Sequence, residues 1–211
     1  ENVLRYNLKQ GNDLLAAYSY NAVDFPRVFE QCSDLKIRFF ANIGSDGYVG
    51  AMLGKYDWVY RGTVSSDGEM IISRTSNDGR YEELARKMME TLPPAGPVEF
   101  SFANVDHKLV LEFGRQRAEA YLGSDPNAMG KIPRSRHEAS VEIVGAGKVS
   151  LSHVALFRDI HYLSYGYGNH GCRGCWGNPL TLGNDEFFVL GDNSQNSQDG
   201  RIRQTQQTRA V

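Results

Sequence analysis

The sequence predicts a mainly β protein, a sandwich of short antiparallel strands accompanied by one short helix. Three observations carry that expectation. Short runs alternating apolar and polar residues recur through residues 35–156. Turn signals separate them at roughly the 8–12-residue spacing of sandwich proteins. Of the 211 residues, 41% are hydrophobic and 11% aromatic, so the chain has the material for a substantial core.

The elements follow in order. Leu35–Phe40 reads Leu-Lys-Ile-Arg-Phe-Phe, apolar residues alternating with basic ones. Tyr48–Leu53, Trp58–Val64 and Glu69–Arg74 come next, separated by Ser45-Asp-Gly47, Gly54-Lys-Tyr-Asp57 and Ser66-Asp-Gly68. Asp-Gly between alternating runs signals a hairpin, because Gly accepts positive φ. Tyr81–Leu92 is expected to be the helix: Leu84, Ala85, Met88, Met89 and Leu92 fall on one helical face, and Pro93 and Pro94 stop it. Pro97–Ala103 and Lys108–Phe113 read as a hairpin across Asn104-Val-Asp-His107. His137–Val144 and Val149–Leu156 read as another, turning at Gly145-Ala-Gly147. A jelly-roll or lectin-like sandwich accommodates this series. After Leu163 the composition shifts to Gly, Asn and Tyr, which marks a linker. Two parts are therefore expected, a sandwich over 1–165 and a smaller piece over 166–211.

Charge excludes one class of function. There are 23 basic and 25 acidic residues, a formal net charge of -2, whereas a dominant nucleic-acid footprint needs clustered Lys and Arg. No apolar stretch approaches the roughly 18–20 residues of a membrane span, and no signal-peptide pattern opens the chain. A first residue of Glu1 rather than Met leads us to expect a processed chain or an excised fragment.

Cysteine is sparse. Cys32 stands alone, and Cys172 and Cys175 form a Cys-Arg-Gly-Cys pair. That pair has three readings: a local disulfide, half of a zinc site, or a redox pair. His170 nearby still leaves a zinc set short of four ligands, and the Gly-rich run before the motif is a loop rather than a strand-to-helix junction. A local disulfide or free thiols is the preferred reading, with no metal and no cofactor expected.

Other candidates sit in the sandwich. Tyr56, Trp58 and Tyr60 alternate along one strand and so share a face. Exposed, they would make a stacking surface for a sugar or a peptide. The favoured placement is the core. Asp106 and His107 lie in a hairpin turn, where an Asp stabilises the turn. His153 lies in an apolar run and reads as a core histidine. Arg201, Arg203 and Arg209 lie in a terminal segment that reads as frayed. Ser33 and Lys36 form a Ser-x-x-Lys spacing, but at a strand start, where the short pattern carries little weight.

The strongest motif lies near the C-terminus. Phe187–Leu190 reads as a short apolar strand running into a polar turn in which Asp192, Asn193, Asn196 and Ser197 can bond nearby backbone. Asp199 and Arg201 can pair and brace it. The run Phe188-Val-Leu-Gly191-Asp192-Asn193-x-x-Asn196-Ser197-x-Asp199-x-Arg201 resembles the last conserved box of the signal peptidase I family, with Gly200 where that family usually has Ser. The resemblance closely covers only about the last 20 residues. It implies a membrane-bound serine endopeptidase that removes signal peptides from exported proteins at the outer face of a bacterial-type inner membrane. Its dyad would be a Ser nucleophile and a desolvated Lys base. By that resemblance Ser197 would orient the Lys amine, Asp199 and Arg201 would form a bracing salt bridge, and Gly191, Asp192, Asn193 and Asn196 would shape the turn.

The dyad is missing. No Ser-Met-x-Pro box and no Lys-Arg dipeptide occur in the chain. The resemblance therefore implies a C-terminal fragment, inactive alone, whose residues 1–165 are a sandwich insertion and whose last piece belongs to a signal-peptidase-like β domain. Leu156-Phe-Arg158-Asp159-Ile160-His-Tyr162 resembles the stretch that ends such insertions. The alternative is a non-catalytic sandwich that binds glycan or peptide.

Overall fold

The computed structural model describes residues 1–8, 14, 32–92, 96–123, 139–159, 174, 178–191 and 200. The chain divides into two units: Glu1–Ala16 with Glu30–Asp159, and Ala17–Phe29 with Ile160–Val211. The first unit is an all-β sandwich of two antiparallel sheets, a jelly-roll or lectin-like architecture.

Eleven strands are described: β1 Asn2–Arg5, β2 Leu35–Ile43, β3 Tyr48–Lys55, β4 Trp58–Ser65, β5 Glu69–Ser76, β6 Tyr81–Met88, β7 Val98–Val105, β8 Lys108–Phe113, β9 Gln116–Tyr121, β10 Ser140–Ala146 and β11 Val149–Arg158. One sheet has the order β1-β10-β3-β4-β5-β6 and the other β11-β2-β7-β8-β9. Alternation dictates the inner faces. Val49, Ala51 and Leu53 of β3 pair across to Val64, Gly62 and Tyr60 of β4, while Ile37 and Phe39 of β2 pair to Phe102 and Phe100 of β7. These residues are buried and meet in one core. The Phe39 and Phe100 rings stack at 4.5 Å and 13° at its centre.

Gly62 is set by space. A Cβ there would fall 2.6 Å from the ring of Phe102 on the facing sheet. Gly62→Ala is therefore expected to cost about 1–3 kcal/mol through overpacking. An unchanged urea midpoint would mean that the Phe102 ring can withdraw.

Two expectations are corrected. The predicted helix is strand β6, which pairs with β5. A register shift between Ile72 and Ser73 skips Leu84, so that Ala85 opposes Ile72 and Glu83 opposes Ser73. The bulge makes adjacent Leu84 and Ala85 both half-buried against the core, which imitates helical spacing. Among the described residues no helix occurs, and none is long and apolar enough to cross a membrane. The strands flanking Gly145-Ala-Gly147 are likewise not a hairpin. β10 belongs to the six-stranded sheet and β11 to the other. The β2–β3 connection also changes sheet, and the two crossings touch: the Gly44 amide donates to the Lys148 carbonyl at 2.7 Å. Gly147, at φ 75, leaves room for only 2.8 Å between its would-be Cβ and the Gly47 Cα.

Candidate functional site

The aromatic series Tyr56, Trp58 and Tyr60 does not form an open face. Tyr60 is 5% exposed and belongs to the core. Burial pushes its phenol up, against the pull of the Arg74 guanidinium beside it. Trp58 packs partly into the core, and Arg74 lies over its ring at 4.3 Å. Arg74 in turn donates Nε and Nη2 to Glu82 at 2.9 and 2.6 Å. The indole is thus closed by a guanidinium that a carboxylate fixes. Tyr56 sits in the β3–β4 turn with φ 55.

Beside this end of the sandwich lies a polar clamp. Lys55 Nζ reaches Asp34 Oδ1 at 2.6 Å, with the two side chains 4% and 8% exposed. It also donates to the Asp106 carbonyl at 3.0 Å. The Asp106 amide donates to Asp34 Oδ2 at 3.0 Å, and the Ser33 hydroxyl to Asp34 Oδ1 at 3.2 Å. Burial would raise the Asp34 carboxyl; the Lys55 ammonium, the Asp106 amide and the Ser33 hydroxyl outweigh it and hold the pKa below its ordinary value. Cys32 lies within hydrogen-bond distance of the Asp34 and Asp159 carbonyls, and burial pushes its thiol up, which makes it a poor nucleophile. Ser33 and Lys36 do not meet, since Lys36 points outward toward Glu112 at 4.0 Å. This constellation ties β2, β3 and the β7–β8 turn together and contains no activated nucleophile. Asp106, with φ 52, is the left-handed residue of that turn, and His107 accepts from the Leu122 amide at 2.9 Å.

The outer face of the five-stranded sheet is built differently. Lys36, Arg38, Phe40 and Asn42 of β2 point outward, because their alternates Leu35, Ile37, Phe39 and Ala41 are buried. Register sets Phe157 beside Lys36, Ala155 beside Arg38 and Ser152 beside Phe40. Arg38 lies over the Phe157 ring at 5.1 Å, and that ring is 44% exposed. His153 meets Phe40 edge-on, with centroids 5.8 Å apart. The result is a strip of two aromatic rings, an exposed guanidinium and an exposed imidazole, flanked by Asn42, Ser150 and Ser152.

His153 is the further correction. It is exposed rather than in the core. A bulge between Ser152 and Ala155, with His153 at φ 53, turns it outward. Sequence reasoning missed this strip, although the basic alternation of β2 already placed Lys36 and Arg38 outside. Phe157 was concealed because the bulge changes the parity of β11.

Most of the C-terminal box lies outside the described residues, namely Asp192, Asn193, Asn196, Ser197, Asp199 and Arg201, as do Cys172 and Cys175 and the terminal arginines. Gly191 and Gly200 are described. The Gly200 amide donates to the Val189 carbonyl at 3.0 Å, and a Cβ at this position would stand 3.0 Å from the Phe188 ring. A side chain there would have to displace the Phe188 ring by a few tenths of an ångström. Among the described residues no group of three or more His, Cys, Asp or Glu is arranged to hold a metal.

No family model matches the chain, and no curated protein matches it. Solved structures of similar fold include three proteins. Sheep galectin-11 in complex with glycerol is 14% identical, covering 64% of this chain and all of that one, with a TM-score of 0.40. A carbohydrate-binding module from Bacillus subtilis is 9% identical, covering 59% and 74%, with a TM-score of 0.42. An alginate lyase is 7% identical, covering 75% and 71%, with a TM-score of 0.48. At such distances no ligand or activity transfers from them.

These findings correct the signal-peptidase expectation. Neither a family model nor a curated protein of that kind matches, and the solved structures of similar fold named above include no signal peptidase. The resemblance rested on a short terminal run, most of which lies outside the described residues. The serine-peptidase activity falls with it, and signal-peptide partners and an inner-membrane placement are left without support.

Proposed function

We propose that this chain is a non-catalytic carbohydrate-binding sandwich that holds a sugar chain on the outer face of its five-stranded sheet. The observation that carries the reading is the strip Phe157, Arg38, Phe40 and His153. Sugar rings present C–H faces that pack on aromatic rings and a rim of hydroxyls that needs hydrogen-bonding groups. The strip supplies both, on a rigid sheet that loses little entropy on binding. Successive outward residues of β2 stand about 7 Å apart, so neighbouring groups meet neighbouring parts of one oligosaccharide. The outer face of the six-stranded sheet offers less. There Glu1 accepts from Arg61 at 2.6 Å and from the Tyr48 hydroxyl, and Arg5 pairs with Glu142 at 2.6 Å, so its charged groups already satisfy one another. A galectin and a carbohydrate-binding module share the general fold, but the reading rests on the face.

The test is retention on immobilised polysaccharides, followed by calorimetry with soluble oligosaccharides. Phe40→Ala combined with Phe157→Ala is expected to weaken binding about tenfold or more, from lost ring contacts of about 1.4 kcal/mol or more. Failure of the native chain to retain any polysaccharide would refute the reading, as would full affinity in the double variant.

A further inference from the structure

We infer that the preferred ligand of this face is an acidic polysaccharide, whose carboxylate or sulfate groups pair with Arg38; this rests on the sugar-binding reading above. The argument is one of unsatisfied charge. The other cations of the face are already engaged. Glu112 pairs with Arg117 at 3.4 Å, lies 4.0 Å from Lys36, and accepts from the Ser101 hydroxyl at 2.9 Å. Glu119 holds Lys108 at 2.7 Å and Arg117 at 2.5 Å. Arg38 is exposed and forms no ion pair with a described residue. Its cross-strand neighbours are Ser101 and Ala155, neither of them acidic. Glu99 stands opposite Phe40 on β7 and is not bonded to Arg38.

The Phe157 ring supplies the second part of the argument. Arg38 lies over that ring at 5.1 Å, an attraction to the π face that uses none of its N–H donors. A guanidinium carries parallel donors that fit a carboxylate or a sulfate bidentately. Phe157 and Phe40 lie to either side of it, so an anionic group on Arg38 would bring the rest of its sugar chain over two rings. A phosphate backbone is a poorer match, because the described residues of this face offer a lone guanidinium without an ion pair, not the row of cations that nucleic acid demands.

The experiment uses the full chain with dextran as neutral probe, polygalacturonate as carboxylate probe, dextran sulfate as sulfate probe and single-stranded DNA as a non-sugar polyanion. One or both acidic polysaccharides are expected to bind at least tenfold more tightly than dextran and than DNA, with affinity falling as salt rises. Whichever acidic probe binds identifies the anionic group. Arg38→Gln is expected to remove that preference, and Arg38→Lys to restore only part of it. Both variants should melt like the native chain, since the side chain is exposed. Equal binding of neutral and acidic sugars, unaffected by Arg38→Gln, would overturn the inference and leave the sugar-binding reading standing. DNA bound as tightly as the acidic sugars, with Phe40→Ala and Phe157→Ala without effect, would overturn both.

Discussion

Replacing Lys55 by methionine is expected to cost about 3–5 kcal/mol of folding stability, because it strands the Asp34 carboxylate in the protein interior. The pair is 4% and 8% exposed and 2.6 Å apart, so solvent can do little to replace the missing ammonium. The lost partner also releases the Asp106 carbonyl. Urea denaturation of the native and variant chains would measure the change as a shift in midpoint at constant slope. Combining Lys55→Met with Asp34→Leu is expected to recover much of the loss, since an apolar pair has no charge to desolvate. A single variant as stable as the native chain would show that the Asp106 amide and the Ser33 hydroxyl suffice to hold the carboxylate, or that it reaches water. The pH dependence follows with its sign. The folded Asp34 pKa is depressed, so the unfolded chain binds the proton more readily. The contribution is complete above the unfolded carboxyl value, about 3.9, and is lost as pH falls below it through the folded value. In the Lys55→Met chain this acid-side loss should shrink or reverse.

Phe100→Ala is expected to cost about 3–5 kcal/mol, the range for removing a buried aromatic side chain. Phe100 is 0% exposed and lies flat against Phe39, so truncation loses both the transfer free energy and a ring–ring contact. Both strands carrying these rings are internal to the five-stranded sheet, which limits how far the backbone can close on the cavity. Phe100→Leu should retain more than half of the stability lost in the alanine variant. Thermal melting of the two variants side by side decides the matter, and equal melting temperatures would mean that the site collapses freely.

What the sequence disclosed depends on periodicity. β2 through β5, β7 and β8 carry their large apolar residues at alternate positions, and each was readable to within a few residues. The strands that escaped are those whose alternation is interrupted or too short to register. β6 carries a bulge that simulates a helical face. The signal against a helix was present in Asn77-Asp78-Gly79, which repeats the turn chemistry of Ser66-Asp67-Gly68. Ser76 bonds Asp78 and accepts from the Arg80 amide at 3.1 Å, just as Ser65 bonds Asp67 and accepts from Glu69 at 3.1 Å. β1 has only four residues. β9 follows a two-residue turn at Gly114-Arg115, with Gly114 at φ 58, and its run Gln-Arg-Ala-Glu-Ala-Tyr has little β propensity. The candidate face was half readable. Parity put Lys36, Arg38 and Phe40 on one side of β2, but no rule local to the sequence could say which residues of β11 would join them. The Lys55–Asp34 clamp was invisible for a different reason. It joins residues 21 positions apart and enlists a turn 72 positions from Asp34, and such pairings exist only once the sheets have stacked.

The mixed charges that disguised β6 also decide where the sheet stops. Glu82, Glu83, Arg86 and Lys87 stand on an outermost strand, engaged as Arg74–Glu82 and as Arg86 with Glu69 and Glu83. A further strand arriving at that edge would have to strip water from these ions and break their pairings, a penalty that its new backbone hydrogen bonds would not recover. In polymer terms β6 is a terminator. It ends the growth of the six-stranded sheet, so copies of this chain at high concentration would not extend into a shared β-ribbon through that side.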